Sequence, residues 1–251
     1  MLEVAGSALQ PEGLIWLILA VSAGGLVRGF SGFGSAMIIM PVASSVLSPV
    51  EAVIFLVSAE VIGPLPNLSN SWRNGQPGDI GMMILGAGVM LPFGLWSLSV
   101  LDTVLFGWLV SGIILVLLAL MIVGWRYQGA LTRRIKFLTG ALSGYLTGFV
   151  GIPGPPVVML YMASILPISA LRANINLYLV AVDIILFLVF WLMGQMVWQI
   201  ALLGLMAAIP YLLANMVGAR LFNPNAERQF RFVAYASIAI SAAIGLPIWK
   251  G

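Results

Sequence analysis

The sequence predicts an all-α polytopic membrane protein built of two inverted repeats of about five hydrophobic segments each, with broken or re-entrant helices at glycine-rich motifs. Three observations carry this. Of 251 residues, 61% are hydrophobic and 8% charged, against about 25% charged in an ordinary soluble domain, and the mean hydropathy is +1.10. The apolar runs are long and continuous, as helices crossing about 30 Å of hydrocarbon require, and unlike the short alternating strands of a transmembrane barrel. A glycine-broken motif occurs twice, as GLVRGFSGFGSAMIIMP from Gly25 to Pro41 and as GYLTGFVGIPGPPVVML from Gly144 to Leu160.

The first apolar segment runs from Leu14 to Arg28 and meets the first break. The stretch before it carries Glu3 and Glu12 but no Lys or Arg, so it lacks the basic start of a cleaved signal peptide and is expected to stay as a helix. A second segment, Ser35 to Leu47, spans only about 20 Å as a helix and ends at Ser48-Pro49. The third covers Glu51 to Leu68, interrupted by Gly63-Pro64 and Pro66, and a polar loop NSWRNGQPGD follows. The fourth is Ile80 to Val100 with Pro92 inside, a break that neighbouring helices can satisfy. The fifth is Thr103 to Trp125.

The loop RYQGALTRRIK, with Arg126, Arg133, Arg134 and Lys136, then divides the chain. Residues 1–125 form the first repeat, 126–136 a basic linker and 137–251 the second repeat. Gly25, Gly29, Phe30 and Gly32 match Gly144, Gly148, Phe149 and Gly151 at a spacing of 119 (144 minus 25). Trp72, Gly75 and Gln76 match Trp191, Gly194 and Gln195 at the same spacing. Two separate motifs in one register mark an internal repeat.

An odd number of crossings per half makes the halves inverted, whether the first two segments are full spans or a hairpin. Lys and Arg favour cytoplasmic loops, which places the linker, Arg73, Arg172 and the Arg220, Arg228 and Arg231 region inside. Glu51, Asp102, Gly194-Gln195 and both termini then fall outside. Arg73 corresponds to Leu192, and Glu51 lies opposite Arg172, as loops on opposite sides should. An eight-helix parallel arrangement is the competing topology.

Absences narrow the chemistry. The chain has no cysteine and no histidine, which excludes thiol catalysis, disulfides, the usual zinc sites and histidine-ligated haem. No enzymatic activity, metal or cofactor is expected. The net charge of +3 fits basic loops on one side of a membrane and gives no reason to expect nucleic acid.

Glycine breaks inside apolar segments free backbone polar groups, which is costly in lipid unless they line a cavity or bind something. Helices starting at Gly34-Ser35 and Gly154-Pro155 would offer two amino termini to an anion, with Pro155 and Pro156 in a first turn where no donor is missed. The expected substrate-binding set is Arg28, Gly29, Ser31, Gly32, Phe33, Gly34, Ser35, Thr147, Gly148, Gly151, Pro153 and Gly154, with Ser31, Ser35 and Thr147 as hydroxyl donors. GxxxG spacing that simply packs helices is the plainer account.

Arg28 has Thr147 as its counterpart; it either pairs with the anion or snorkels to the cytoplasmic surface. Glu60 and Asp183 are expected to carry a coupling proton, to pair with Arg28 or to act as polar packing contacts. Asn174 and Asn176 line a path or join helices. Trp72, Trp191 and Trp249 read as interfacial anchors.

The paired GFSGFG and GFVGIPGPP breaks, the small size and the two similar halves resemble the TauE/SafE sulfite exporter family, also described as toluene sulfonate uptake permeases. The resemblance covers nearly the whole chain. It implies transport of sulfite, sulfonates or related sulfur-containing anions across the bacterial cytoplasmic (inner) membrane. The expected mechanism is alternating access coupled to protons or membrane potential. A passive anion channel and a noncatalytic assembly subunit are the other classes. The expected partners are a small anionic substrate and membrane lipid, with a homo-oligomer left open.

Overall fold

The computed structural model describes residues 11–124, 127, 129–161, 166–221 and 227–250. These form eleven α-helices and a final 3-10 turn, with no strand among the described residues. In chain order they are α1 Pro11–Ser31, α2 Ser35–Val46, α3 Pro49–Glu60, α4 Leu65–Asn74, α5 Pro77–Ser99 and α6 Thr103–Val123. The second half holds α7 Arg133–Val150, α8 Gly154–Tyr161, α9 Ile168–Leu192, α10 Trp198–Leu221 and α11 Glu227–Ile244. Glu3 and Arg126 lie outside the described residues, as do the side chains of Glu12, Arg228, Arg231 and Trp249.

Five helical stretches are long and apolar enough to cross a membrane: Gly13–Ser31, Ile80–Ser99, Thr103–Val123, Ser169–Leu192 and Trp198–Leu221. Their outward faces carry large apolar side chains such as Trp16, Phe93, Trp96, Ile184, Trp191 and Met206, the surface expected against lipid. The chain is a multi-span helical membrane protein.

Local sequence sets the helix ends. Asp102 accepts the Leu105 N–H at 2.8 Å to start α6, and Gly124, at φ 74, stops it. Thr132 accepts the Ile135 N–H at the start of α7. Ser48 and Glu51 form a reciprocal capping box at α3, the Glu51 carboxylate taking the Ser48 N–H at 3.0 Å and its hydroxyl at 2.7 Å. Glu51 is buried there, not a loop charge, because its oxygens replace the hydrogen bonds that the first turn lacks.

The repeat runs through the helices. α2 and α8 start 119 apart (154 minus 35), and α3 and α9 also start 119 apart (168 minus 49). Where the second half has the unbroken α9, the first half bends by 73° between α3 and α4. Gly63-Pro64 and Pro66 sit at that bend, and the residues NSWRN that read as loop are the end of α4. The basic residues Arg133, Arg134 and Lys136 stand in the first turn of α7, so the helix begins inside the expected linker.

The halves are interleaved. The two most extensive helix packings in the bundle are α5 on α7 and α1 on α10; with the bent α3–α4 counted as one segment, each joins the first segment of one half to the fourth of the other. Glycine permits both. A Cβ on Gly29 would run into the Asn215 carbonyl and the Ala219 N–H, and one on Gly148 into the Leu91 carbonyl and the Leu95 N–H. Residue numbers rise together along each contact, Gly25 beside Tyr211 and Gly29 beside Asn215, Gly140 beside Met83 and Gly144 beside Ala87. Within each packed pair the helices are therefore parallel.

Candidate functional site

Both glycine motifs break the chain at the same place. Gly32 has φ 85 and Gly151 φ 71, a backbone region that L side chains avoid. The Gly151 N–H closes on the Thr147 carbonyl at 2.9 Å to end α7. After each break the short helix doubles back beside the one before it. Gly24 of α1 faces the Ser35 carbonyl and Ile39 of α2, while the Ser143 hydroxyl on α7 donates to the Pro153 carbonyl at 2.5 Å.

The two breaks meet. A Cβ on Gly154 would lie 3.7 Å from the Phe33 Cβ, so residues 121 positions apart (154 minus 33) face one another within the bundle. Ser35 opens α2 after Gly34, and Gly154 opens α8 with Pro155 and Pro156 in its first turn. Gly32, Phe33, Gly34, Pro153 and Gly154 thus form one region, with Gly29, Gly148 and Gly151 in the turns that lead to it.

Two of the three expected hydroxyl donors, Ser31 and Thr147, are engaged locally. Ser31 Oγ stands 2.6 Å from both the Val27 and Phe33 carbonyls and accepts the Phe33 N–H at 3.3 Å, so it holds the shape of the first break. Thr147 Oγ1 donates back to the Ser143 carbonyl at 2.7 Å within α7. Ser35 Oγ faces the Tyr211 hydroxyl at 3.5 Å. Asn174 Oδ1 accepts the Gln76 N–H at 2.7 Å, and Asn176 Nδ2 donates to Ser71 Oγ at 3.0 Å. Both asparagines join α9 to the end of α4 and the start of α5; the Nδ2 of Asn174 is buried without a hydrogen-bond partner among the described residues.

Arg28 does not snorkel. Its Nη1 donates to Glu60 Oε2 at 2.6 Å, with the side chains only 5% and 6% exposed. Arg28 Nη2 and Glu60 Oε1 are buried with no hydrogen-bond partner among the described residues. Asp183 of α9 and Tyr211 of α10 complete this charged cluster around the pair. The Tyr211 ring also occupies the space a Cβ on Gly63 would need at the α3–α4 bend.

One site residue escaped the sequence reading. Arg172, placed there in a cytoplasmic loop, lies in the second turn of α9, and its Nη2 donates to the Gly29 and Phe30 carbonyls at 3.3 and 3.5 Å. It caps the last turn of α1 with a cation, where the helix dipole favours one. A Cβ on Gly32 would stand 3.5 Å from its Nε. Unlike Arg28, Arg172 keeps part of its surface open. Its position four residues after the Ile168 helix start, on the face shared with Asn176, is the only signal that pointed inward. No group of His, Cys, Asp or Glu that could hold a metal ion occurs among the described residues.

Comparison with known proteins agrees with this architecture. The chain is 26% identical over 250 residues to the probable sulfite/organosulfonate exporter TauE of Cupriavidus necator, covering 93% of this chain and 94% of that protein. No solved structure matches it significantly. The model of the family Sulfite exporter TauE/SafE, a family of membrane exporters and not of enzymes, matches residues 17–244. The chain belongs to the TauE/SafE sulfite exporter family.

Proposed function

We propose that the protein is a secondary carrier that moves sulfite or an organosulfonate across the bacterial cytoplasmic membrane by alternating access, with the meeting of the two breaks as its site and the two halves as inverted repeats. The observation that carries the proposal is the approach of Phe33 to Gly154 beside the buried Arg28–Glu60 pair. Two non-helical turns inside an apolar bundle, next to charged groups, are the hallmark of a transporter site.

Helix directions support inversion. Asn174 near the start of α9 bonds Gln76 at the start of α5, so α9 sets out from the same end as α5 and its parallel partner α7. The five-residue connection to α10 turns the chain back, as short links between helices do. Because α1 runs parallel to α10, it runs opposite to α7, its counterpart in the repeat.

In the site, Arg172 is the partly exposed cation beside Gly32, and the first amides of α2 and α8 are the uncharged donors for an oxyanion. Arg28 offers its unpartnered Nη2. An anion arriving here meets Glu60 and Asp183 as well, and proton uptake by either carboxylate relieves its repulsion of the anion. Such uptake would link anion movement to proton movement through Glu60 or Asp183.

The test is thermal-shift screening of the purified protein against sulfite, thiosulfate, taurine, isethionate, sulfoacetate and aromatic sulfonates, followed by counterflow of each hit in proteoliposomes. A ligand at 100 times its Kd adds about 2.7 kcal/mol of stability. Stabilisation together with saturable counterflow is expected. A panel in which no compound stabilises the protein or exchanges would overturn the carrier reading, and a very high unitary conductance would replace it with a channel.

A further inference from the structure

The repeat is symmetric in its elements but not in what covers its two hairpins. In the first half, α2 is packed against by both fifth helices, α6 and α11, and α11 also lies on α1. In the second half, α6 meets α8 only marginally, and no extensive packing of α11 on α8 or of α6 on α7 exists among the described residues. Between α6, α7 and α8 lies a cavity of about 620 Å³, with Ile113 and Leu117 on α6, Leu142 and Leu146 on α7, and Pro156 and Met159 on α8 among its walls.

The glycines that end the fifth helices register the same difference. A Cβ on Gly245, after α11, would collide with Pro41 of α2. At Gly124, which ends α6, a Cβ would meet nothing within 4 Å among the described residues. Ile238 of α11 and Val27 of α1 both close on Gly34 at the first break. The start of α6 is tied to its partner, since Pro247, just past α11, sits 3.0 Å from where a Cβ on Gly107 would stand.

We infer that α6 and α11 act as a paired clasp that holds one hairpin at a time, and that the cavity between α6, α7 and α8 is the seat α6 takes up in the opposite state. Two halves with the same elements have two equivalent arrangements of similar energy, related by exchanging their roles. Here the clasp is closed on the α1–α2 hairpin and open on the α7–α8 hairpin. In the exchanged arrangement α6 fills its cavity against Leu142 and Met159, while α11 leaves Gly34 and Pro41. The space is apolar and open at the lipid-facing surface, where Val116 and Leu142 are exposed, so α6 can enter it by displacing lipid chains. The inference rests on the carrier reading and adds which helices move.

The chain has no native cysteine, so introduced thiols report without background. In proteoliposomes, Ile113→Cys with Met159→Cys bridges α6 to α8, and Val27→Cys with Ile238→Cys bridges α1 to α11. Short bis-maleimide linkers are used, and linking is read during taurine and isethionate exchange because sulfite cleaves disulfides and adds to maleimides; the exchange assay itself uses the sulfite, taurine and isethionate panel. The α1–α11 pair is expected to link readily without substrate. The α6–α8 pair is expected to link at least severalfold faster during exchange, and either link alone should stop exchange. Leu120→Cys with Leu160→Cys provides a second α6–α8 pair if the first impairs assembly. If the unlinked protein exchanges none of the panel, the carrier reading falls. If it exchanges and the α6–α8 link leaves exchange intact, the carrier reading stands and the alternating clasp is wrong.

Discussion

Arg28 and Glu60 form a buried ion pair across 32 positions of sequence, joined by a single contact of 2.6 Å, and each keeps one polar atom with no partner among the described residues. Such a pair is held by mutual need. Removing one member strands the other, typically at a cost of about 3–5 kcal/mol, whereas removing both leaves two neutral groups. Arg28→Gln and Glu60→Gln should each lower Tm strongly, and the double variant should recover most of the loss. Equal, additive losses in a double-mutant cycle would show that the two residues are not coupled.

Asp183 belongs to the same cluster but makes no hydrogen bond to Arg28 comparable to that of Glu60. If it carries the coupling proton, Asp183→Asn should retain sulfonate exchange, which needs no net proton movement, and lose accumulation driven by a pH gradient. Both activities are read in the same vesicles. Accumulation that survives Asp183→Asn assigns the proton to Glu60.

Arg172 is partly exposed and holds the carbonyls at the end of α1, beside Gly32. A charge-assisted hydrogen bond contributes about 1.5–3 kcal/mol, so Arg172→Gln should raise the apparent Kd for a sulfonate about tenfold or more. Arg172→Lys should recover part of this, keeping the charge but losing the fork that spans two carbonyls. Titration calorimetry or a ligand-dependent Tm shift gives the values. Unaltered affinity in both variants would confine Arg172 to capping α1.

The interleaved helices depend on missing side chains. Gly29→Ala and Gly148→Ala push a methyl group into backbone atoms of the facing helix, and overpacking of this kind costs about 1–3 kcal/mol. Gly78 on α5 has open space around it, so Gly78→Ala should be neutral or slightly stabilising, by up to about 1 kcal/mol of helix propensity. Unfolding measurements on the three variants in detergent separate close packing from a general need for glycine.

Much of the fold was legible because apolar length and glycine breaks are local signals. The starts of α2 and α8 fell where Gly34-Ser35 and Gly154-Pro155 placed them, and the 119-residue register also relates the starts of α3 and α9. The charged residues were harder. Arg172 and Glu51 read as loop charges under a rule about loops, yet one caps the end of α1 and the other the start of α3, because a helix terminus inside the bundle needs a counter-charge as a loop does. The asparagines gave no direction, since an amide that joins helices and one that awaits a ligand look the same in sequence. The Arg28–Glu60 pair was among the alternatives, and only the three-dimensional path from α1 to the end of α3 selected it.

The packing of α1 on α10 and of α7 on α5 has a consequence for how the protein is made. α1 has its most extensive packing on α10, which begins 167 residues after α1 ends (198 minus 31), so its glycine face waits in the bilayer uncovered until that later helix has been made. Neither half holds the main packing partner of its own first helix.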